Sequence, residues 1–345
     1  MQITHVNFAK GFRGGERQTQ LLIEQLSKQG YIQNLLVRKN SQLIKRCEHL
    51  KNLQIIEISK PYIFSLNKLK GSTILHAHET KALQFVYAAH LVLNLPYIVT
   101  RRVDNALKNN LLNKKMYASS LATVALSTAI KNEILKVSPT ATVTIIPSAY
   151  TNSAVNSTLS KAIKARFENK FLIGHVGALD DRHKGQSLLI ATAKMLQETH
   201  PNIHFIFVGS GQDEAALKLL ATGLENITFE GFVNNVNDYI NAFDLFVFPS
   251  RNEGLGSILF DVMRLNVPIV ASDVGGIPDI IQNGSNGILV PPLDVIAIKD
   301  AILELYDTPK KRHSLAEVAK DSVESFSPSK MLKRYLTLYK VSPNA

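Results

Sequence analysis

Several short stretches of this chain set charged side chains beside glycine turns, an arrangement suited to holding phosphate. The densest is PSRNEGLGSILFDVMRLNVPIVASDVGGIPDII, residues 249–281. An apolar run, 245–248, ends at Pro249; a turn over Glu253, Gly254, Leu255 and Gly256 then leads into a helical pattern that opens at Ser257 and Ile258 and carries Asp261. A glycine turn at a helix start offers unpaired backbone N–H groups and lets the main chain approach an anion closely. A second stretch, HVGALDDRHKGQSLLIATAKML (175–196), opens a loop at Gly177 and brings Arg182, Lys184 and Gly185 up to another helix. Near the N-terminus Gly14 and Gly15 separate a strand pattern from a helix, with Arg13 and Arg17 at the same edge. In LHAHETKALQF (75–85) a short strand delivers His76 and His78 to one face, followed by Glu79. Two histidines and a glutamate alone do not make a metal site. Core histidines are the competing reading, and no metal is expected. Arg101 and Arg102 close the next strand; a guanidinium pair there suits a phosphate or carboxylate, or is a plain surface pair.

The elements that must position these residues repeat a strand–helix alternation. Strands are expected at 3–8, 32–37, 55–58, 74–76, 97–100, 121–126 and 143–146, with helices at 18–28 and 80–94. Ser-, Thr- and Asn-rich residues 149–160 read as a linker. A second series follows: strands at 171–176, 204–208, 227–229, 245–248, 269–271 and 287–290, with helices at 187–198, 213–221, 236–241, 258–265 and 293–306. This predicts two doubly wound α/β domains in tandem, each binding at the carboxyl ends of its strands, with a cleft between them as the default active site. The Gly-x-Gly of VGSGQDEAALKLL (208–220) has Glu214 where a dinucleotide fingerprint needs its third glycine, which argues against a dehydrogenase.

With these motifs in place, the chain resembles glycosyltransferase family 4 of the GT-B fold (the group 1 glycosyltransferases), whose core is a Glu, seven residues and a second Glu. Glu253 matches the first, and Asp261, one methylene shorter, stands at the second. The resemblance implies two Rossmann-like domains facing across a cleft: residues 1–150 for the acceptor, residues 151–327 for a nucleotide-sugar donor, and a last helix, about 328–340, that packs back on the first. It implies that Glu253 meets the donor sugar, Asp261 the ribose, and backbone over Gly254, Leu255, Gly256, Ser257 and Ile258 the diphosphate. Lys184 falls on the lysine of an Arg–Lys diphosphate clamp. Ala178 occupies the arginine position, so Arg182 is the expected substitute. Val233, beside the 231–233 turn, is implied at the base, and Gly14 and Gly15 at an open path to the donor phosphates. His78 is implied beside the sugar, in a His-x-His-Glu pattern shared with phospho-acceptor mannosyltransferases, with Glu79, Arg101 and Arg102 toward the acceptor. Retention of anomeric configuration, with the leaving phosphate taking the acceptor proton, is likewise implied, and no cofactor or metal is invoked.

Bulk composition fits and limits this reading. The 345 residues exceed one compact core, and 45% apolar with 19% charged residues is globular. Cys47 is the single cysteine, so no internal disulfide is required. The apolar stretch 82–99 is broken at Pro96, and the first residues lack a signal-peptide core, which predicts a cytoplasmic protein. The net charge of +11 divides into +13 over residues 1–150 and −2 over the rest. A basic half suggests an anionic partner: a glycolipid or oligosaccharide acceptor such as lipopolysaccharide core, and peripheral binding to the inner membrane surface. A solvated basic face is the plain alternative. A nucleic-acid-binding module is the rival class, but no aromatic–basic RNA motif, zinc spacing or helix-turn-helix cue supports it, and no nucleic acid is expected. A degenerate, binding-only transferase is the third reading, motivated by Ala178 and Asp261.

Overall fold

The computed structural model describes residues 1–12, 14–151 and 154–340. Two compact units divide the chain: Met1–Ala149 together with the segment from Phe326 onward, and Tyr150–Ser325.

The first unit is built on a seven-stranded parallel sheet. Its strands are β1 (Gln2–Asn7), β2 (Ile32–Arg38), β3 (Leu53–Ile58), β4 (Ile74–Ala77), β5 (Tyr97–Arg101), β6 (Ala122–Ala125) and β7 (Val143–Ile145), in the order β3-β2-β1-β4-β5-β6-β7. Helices α1 (Gly14–Lys28), α2 (Gln42–Cys47), α3 (Thr80–Leu93), α4 (Leu111–Ala118) and α5 (Thr128–Val137) make the crossovers. Helix α3 shows how local sequence sets the limits. The Glu79 carboxylate caps its first turn by accepting from Lys81 N and Ala82 N, both at 2.7 Å. At the other end Asn94 turns left-handed at φ 53°, just before Pro96 forbids continuation.

The second unit carries a six-stranded parallel sheet of β8 (Phe171–Val176), β9 (Ile203–Val208), β10 (Ile227–Gly231), β11 (Leu245–Phe248), β12 (Ile269–Ser272) and β13 (Ile288–Val290), ordered β10-β9-β8-β11-β12-β13. Its helices are α6 (Ser157–Ala165), α7 (Asp181–Lys184), α8 (Gln186–Leu196), α9 (Glu214–Leu220), α10 (Val236–Ile240), α11 (Ile258–Arg264), α12 (Val295–Asp307) and α13 (Pro309–Ser322). Its core is aromatic and aliphatic: Phe205 and Phe207 of β9 pack with Leu189, Ile302 and Leu305, all fully buried.

Helix α14 (Pro328–Tyr339) returns to the first unit, where Met331, Leu332, Tyr335 and Tyr339 join the core of Ile3, Leu22, Ile74 and Ile98. The linker expected over 149–160 is shorter than its composition suggested. Asn156 caps α6 by accepting from Thr158 N and Leu159 N at 3.1 and 3.2 Å, so the Asn-Ser pair that reads as linker is in fact a helix start.

Each sheet reverses its winding once, between β1 and β4 in the first unit and between β8 and β11 in the second. At such a point successive crossovers leave to opposite faces, and a crevice opens at the carboxyl ends of the two strands. The loop after β4 carries His78 and Glu79. The loops after β8 and β11 carry Lys184 and Glu253.

Candidate functional site

In the second unit the two carboxyl-end loops meet. Lys184, last residue of α7, donates a charged hydrogen bond to Glu253 Oε2, and its ammonium also lies 4.9 Å from the Phe248 ring centre. The pair is held by a brace. Arg251 donates from Nε to Asp181 O at 3.1 Å and from Nη2 to Asp181 Oδ2 at 3.2 Å and Ser187 Oγ at 2.8 Å. Asp181 in turn accepts from Ser187 N at 2.6 Å. The four-residue α7 is thereby tied both to the start of α8 and to the β11 loop. Gly185 makes the junction possible. Its φ is +67°, and a Cβ there would stand 2.2 Å from Pro249 O. Arg251, Asp181 and Ser187 were not singled out from sequence, although Arg251 sits inside the 249–281 motif.

The turn itself is tight. Gly256 has φ +84°, Leu255 is buried, and Glu253 O accepts from Gly276 N at 2.9 Å. Gly254, Ser257 and Ile258 are half-buried around it. Helix α11, seven residues long, begins just after this turn. Asp261 is 6% exposed and accepts at Oδ1 from Thr151 N and Oγ1 at 3.1 and 3.0 Å. Ribose would have to join or exchange those bonds.

Arg182 is placed elsewhere. It is exposed and lines a cavity of about 640 Å³ with Asp181, Ser187, Asp213, Leu217 and Arg251, a cavity that neither Lys184 nor Glu253 lines. One helical turn separates Arg182 and Lys184 incompletely, so the two side chains leave α7 in different directions. Substitution for the absent clamp arginine is therefore not supported by the geometry. Val233 is half-buried in the loop after β10, the edge strand of the sheet.

Beneath the Lys184 loop, His175 on β8 pairs its Nδ1 with Val247 O at 3.1 Å, and its Nε2 lies 3.3 Å from the Gln186 amide nitrogen. Burial lowers its pKa to about 4, helped by the nearby Lys184 charge.

In the first unit strands β1 and β4, with the residues just beyond β4 and β5, place a second cluster. His5 on β1 lies opposite His76 on β4, and His78 follows one residue beyond that strand. His5 Nδ1 and His78 Nε2 are 2.9 Å apart. His76 is bonded at both ring nitrogens, to Tyr339 Oη at 2.7 Å and Thr100 Oγ1 at 2.8 Å. Burial lowers the pKa of His5 to about 4 and holds His76 and His78 well below the usual histidine value, with mutual repulsion and the Arg102 charge adding to the effect. Ring nitrogens of the three lie within 4.8 Å of one another, close enough to suggest a metal. Every one of the six ring nitrogens already has a hydrogen-bond partner, however, and the Arg102 guanidinium stands 3.4 Å from His78 Nδ1. That arrangement fits a hydrogen-bond network better than a cation.

Two acceptor expectations change here. Glu79 spends both carboxylate oxygens on backbone donors, Lys81, Ala82 and Phe8, which is a cap rather than a substrate contact. Arg101 is 8% exposed and donates to Asn105 O, so it fastens its own loop. Arg102 differs: Nη2 lies 3.4 Å from both Thr19 Oγ1 and His78 Nδ1, and Nε is buried without a partner. Its Cδ would be 3.2 Å from a Cβ on Gly15, so that glycine gives the arginine room. Gly14 is exposed at the first position of α1. Arg13, read at the same edge, lies outside the described residues. Among the described residues no helix is long and apolar enough to cross a membrane.

Comparison with known proteins places this geometry. Residues 156–322 match the model of "Glycosyl transferases group 1". The alpha-D-kanosaminyltransferase of Streptomyces kanamyceticus is 33% identical over 152 residues, 43% of this chain and 38% of that protein. The N-acetyl-alpha-D-glucosaminyl L-malate synthase of Bacillus anthracis is 27% identical over 176 residues, 50% of this chain and 46% of its own length. The chain thus spans less than half the length of these relatives. Among solved structures, Anabaena Alr3699/HepE, crystallised with UDP and glucose, superposes with a TM-score of 0.87 at 16% identity, covering 99% of this chain and all of that one. The fold is that of the GT-B glycosyltransferases, two parallel-sheet Rossmann-like domains, and residues 156–322 carry the pattern of the group 1 glycosyl transferases.

Proposed function

We propose that the protein is a retaining glycosyltransferase of family 4, binding a nucleoside-diphosphate sugar on the Tyr150–Ser325 unit and passing the sugar to a glycolipid or polysaccharide acceptor. The observation that carries this reading is the Lys184–Glu253 pair at the mouth of the β8/β11 crevice. Without donor each side chain is the other's counter-ion. A diphosphate outcompetes a single carboxylate for the ammonium, because it brings more charge and more acceptor oxygens. Its arrival releases Glu253 to accept hydrogen bonds from hydroxyls of the sugar. Lys184 then faces the oxygens on which negative charge grows as the glycosidic bond breaks, and stabilises them more in the transition state than before it. The residue range of the group 1 match and the UDP-bound fold relative support this reading, and make UDP-sugars the first donors to test.

A thermal-shift panel of UDP-, GDP- and ADP-sugars tests it, since ligand binding to the native state raises the melting point. One of the three classes is expected to raise the Tm of the wild type and to leave Lys184→Ala unmoved. No shift with any of them, at millimolar donor, removes the reading. Acceptor-free donor hydrolysis then separates a working transferase from a protein that only binds.

For the acceptor's setting, the inner face of the cell membrane is supported by the basic first half and by exposed Ile63 and Phe64 set among Lys60, Lys68, Lys70 and Lys81. Flotation with anionic vesicles at low salt checks this; a protein that stays at the bottom of the gradient removes the membrane part alone.

A further inference from the structure

The cluster around His78 contains a chain of hydrogen bonds whose direction is fixed at both ends. Gln33 on β2 donates from Nε2 to Ile23 O at 3.1 Å, and a carbonyl oxygen only accepts. The amide orientation is thereby set, and Gln33 Oε1 faces His5 Nε2 at 3.2 Å. An amide oxygen also only accepts, so His5 carries its proton on Nε2. In neutral His5 the other nitrogen, Nδ1, is then a lone pair. It faces His78 Nε2 at 2.9 Å, which must be the protonated nitrogen of that ring. His78 Nδ1 is left as a lone pair, and what it faces is the Arg102 Nη2 at 3.4 Å, a group that only donates. The order Arg102, His78, His5, Gln33, Ile23 carbonyl admits a single arrangement of protons, because its first member has no lone pair and its last has no proton. All three central side chains are buried. A reversed proton anywhere along the chain would leave two donors or two lone pairs facing each other out of reach of water, which burial makes costly.

We propose that Gln33 and His5 are positioning residues that lock His78 in the Nε2–H tautomer, so that its Nδ1 lone pair holds the Arg102 guanidinium at the carboxyl end of the β1/β4 crevice. Neither Gln33 nor His5 stands in any motif of the sequence. They meet only because β2, β1 and β4 lie side by side. His78 held this way accepts at Nδ1 and donates nothing outward, which leaves it suited to orient a guanidinium or a hydroxyl rather than to deliver a proton. The functional consequence rests on the transferase reading above: Arg102 and His78 face the acceptor, and misorienting them slows transfer without weakening donor binding on the other unit.

The test is long-range nitrogen–proton NMR of the histidine-labelled, substrate-free full chain, together with Gln33→Leu and Gln33→Glu. In the wild type, His5 and His78 are both expected with a pyrrole-type Nε2 and a pyridine-type Nδ1. Gln33→Leu removes the acceptor at one end of the chain and leaves its order to the Arg102 contact alone, at 3.4 Å the longest link, so the His78 signals should shift toward a tautomer mixture and transfer should fall about 10-fold or more in kcat, with the KM for the nucleotide sugar unchanged. Gln33→Glu, whose carboxyl burial keeps protonated, accepts from His5 Nε2 at one oxygen and donates its O–H to Ile23 O from the other, and should restore the wild-type tautomer pattern. A wild-type His78 protonated on Nδ1 overturns the proposal, even if the Leu variant fails to fold. So does a Leu variant whose His78 tautomer changes while kcat does not. The spectrum needs no substrate. A protein inert toward every nucleotide sugar but showing the expected tautomers therefore sinks the transferase reading and leaves the hydrogen-bond chain standing.

Discussion

Lys184 and Glu253, separated by 69 residues in sequence, form a charged hydrogen bond across the two loops that flank the reversal point of the second sheet. Their side chains keep only 23% and 16% of their surface, so the pair is largely buried, and removing one partner leaves the other charge without its counter-ion. Lys184→Ala should accordingly lower the Tm as well as losing about 10²–10³-fold in kcat, the usual loss for one group that stabilises a leaving anion. Glu253→Gln should raise the KM for donor and lower kcat together. Steady-state kinetics beside a melting curve checks both. Unaltered turnover in Lys184→Ala would refute the assignment.

Arg182 and Arg251 are predicted to behave oppositely to what motif position suggests. Arg182→Ala, on the far side of α7, should keep transfer within about 2-fold of wild type. Arg251→Ala removes three hydrogen bonds of the brace and should cost about 1–3 kcal/mol of stability, with a fall in kcat as the Lys184 loop loosens. A 50-fold loss in Arg182→Ala would restore it as the missing clamp.

Gly185→Ala should be destabilising by about 2 kcal/mol or more. The left-handed backbone alone disfavours a side chain by about 1–2 kcal/mol, and the new Cβ would overlap a backbone oxygen at 2.2 Å that cannot swing away. Urea denaturation measures the loss, and an alanine variant as stable as wild type contradicts the junction described here.

Stability should fall as pH drops from about 6.5 toward 4. His5 and His175 have folded-state pKa values of about 4, lowered by burial, against 6.5 in the unfolded chain. Below 6.5 the unfolded state therefore takes up protons that the folded state refuses. Stability is complete above the unfolded value and is lost on acidification, by ~1.4 kcal/mol for each of the two at pH 5.5. Melting curves from pH 7.5 to 5 read this directly. His175→Gln should flatten the slope of whichever transition reports the second unit.

Glu79→Ala separates a cap from a ligand. Loss of the cap should cost about 1 kcal/mol in stability and leave the KM for the acceptor unchanged. A large rise in that KM with an unmoved Tm would mean that the carboxylate turns outward to substrate.

Much of this architecture is legible in the chain. The mainly apolar runs at 171–176 and 245–248 coincide with β8 and β11 residue for residue, because strands buried on both faces read as near-continuous hydrophobic stretches. Residues whose role depends on local backbone, such as Glu253, Gly254 and Gly256 in one turn or Pro96 behind α3, are also set by sequence. What the sequence could not decide is where side chains spend their hydrogen bonds. Glu79 looks like a ligand until its oxygens are seen on backbone N–H groups, and Asp261 looks free for a ribose until Thr151 is seen bonded to it. Arg101 and Arg102 are indistinguishable as neighbours, yet Arg101, the last residue of β5, bonds its own loop and Arg102, just beyond the strand, reaches His78. His5 and Gln33 carry no signal at all, being 28 residues apart with no motif between them. Only strand order, a long-range property of the closed sheet, brings them into one proton-ordered chain. Local patterning fixes which elements form, because it acts within a turn or a strand. The pairing of distant polar groups is decided by burial, since only removal from water makes an unmade hydrogen bond costly enough to select a single partner.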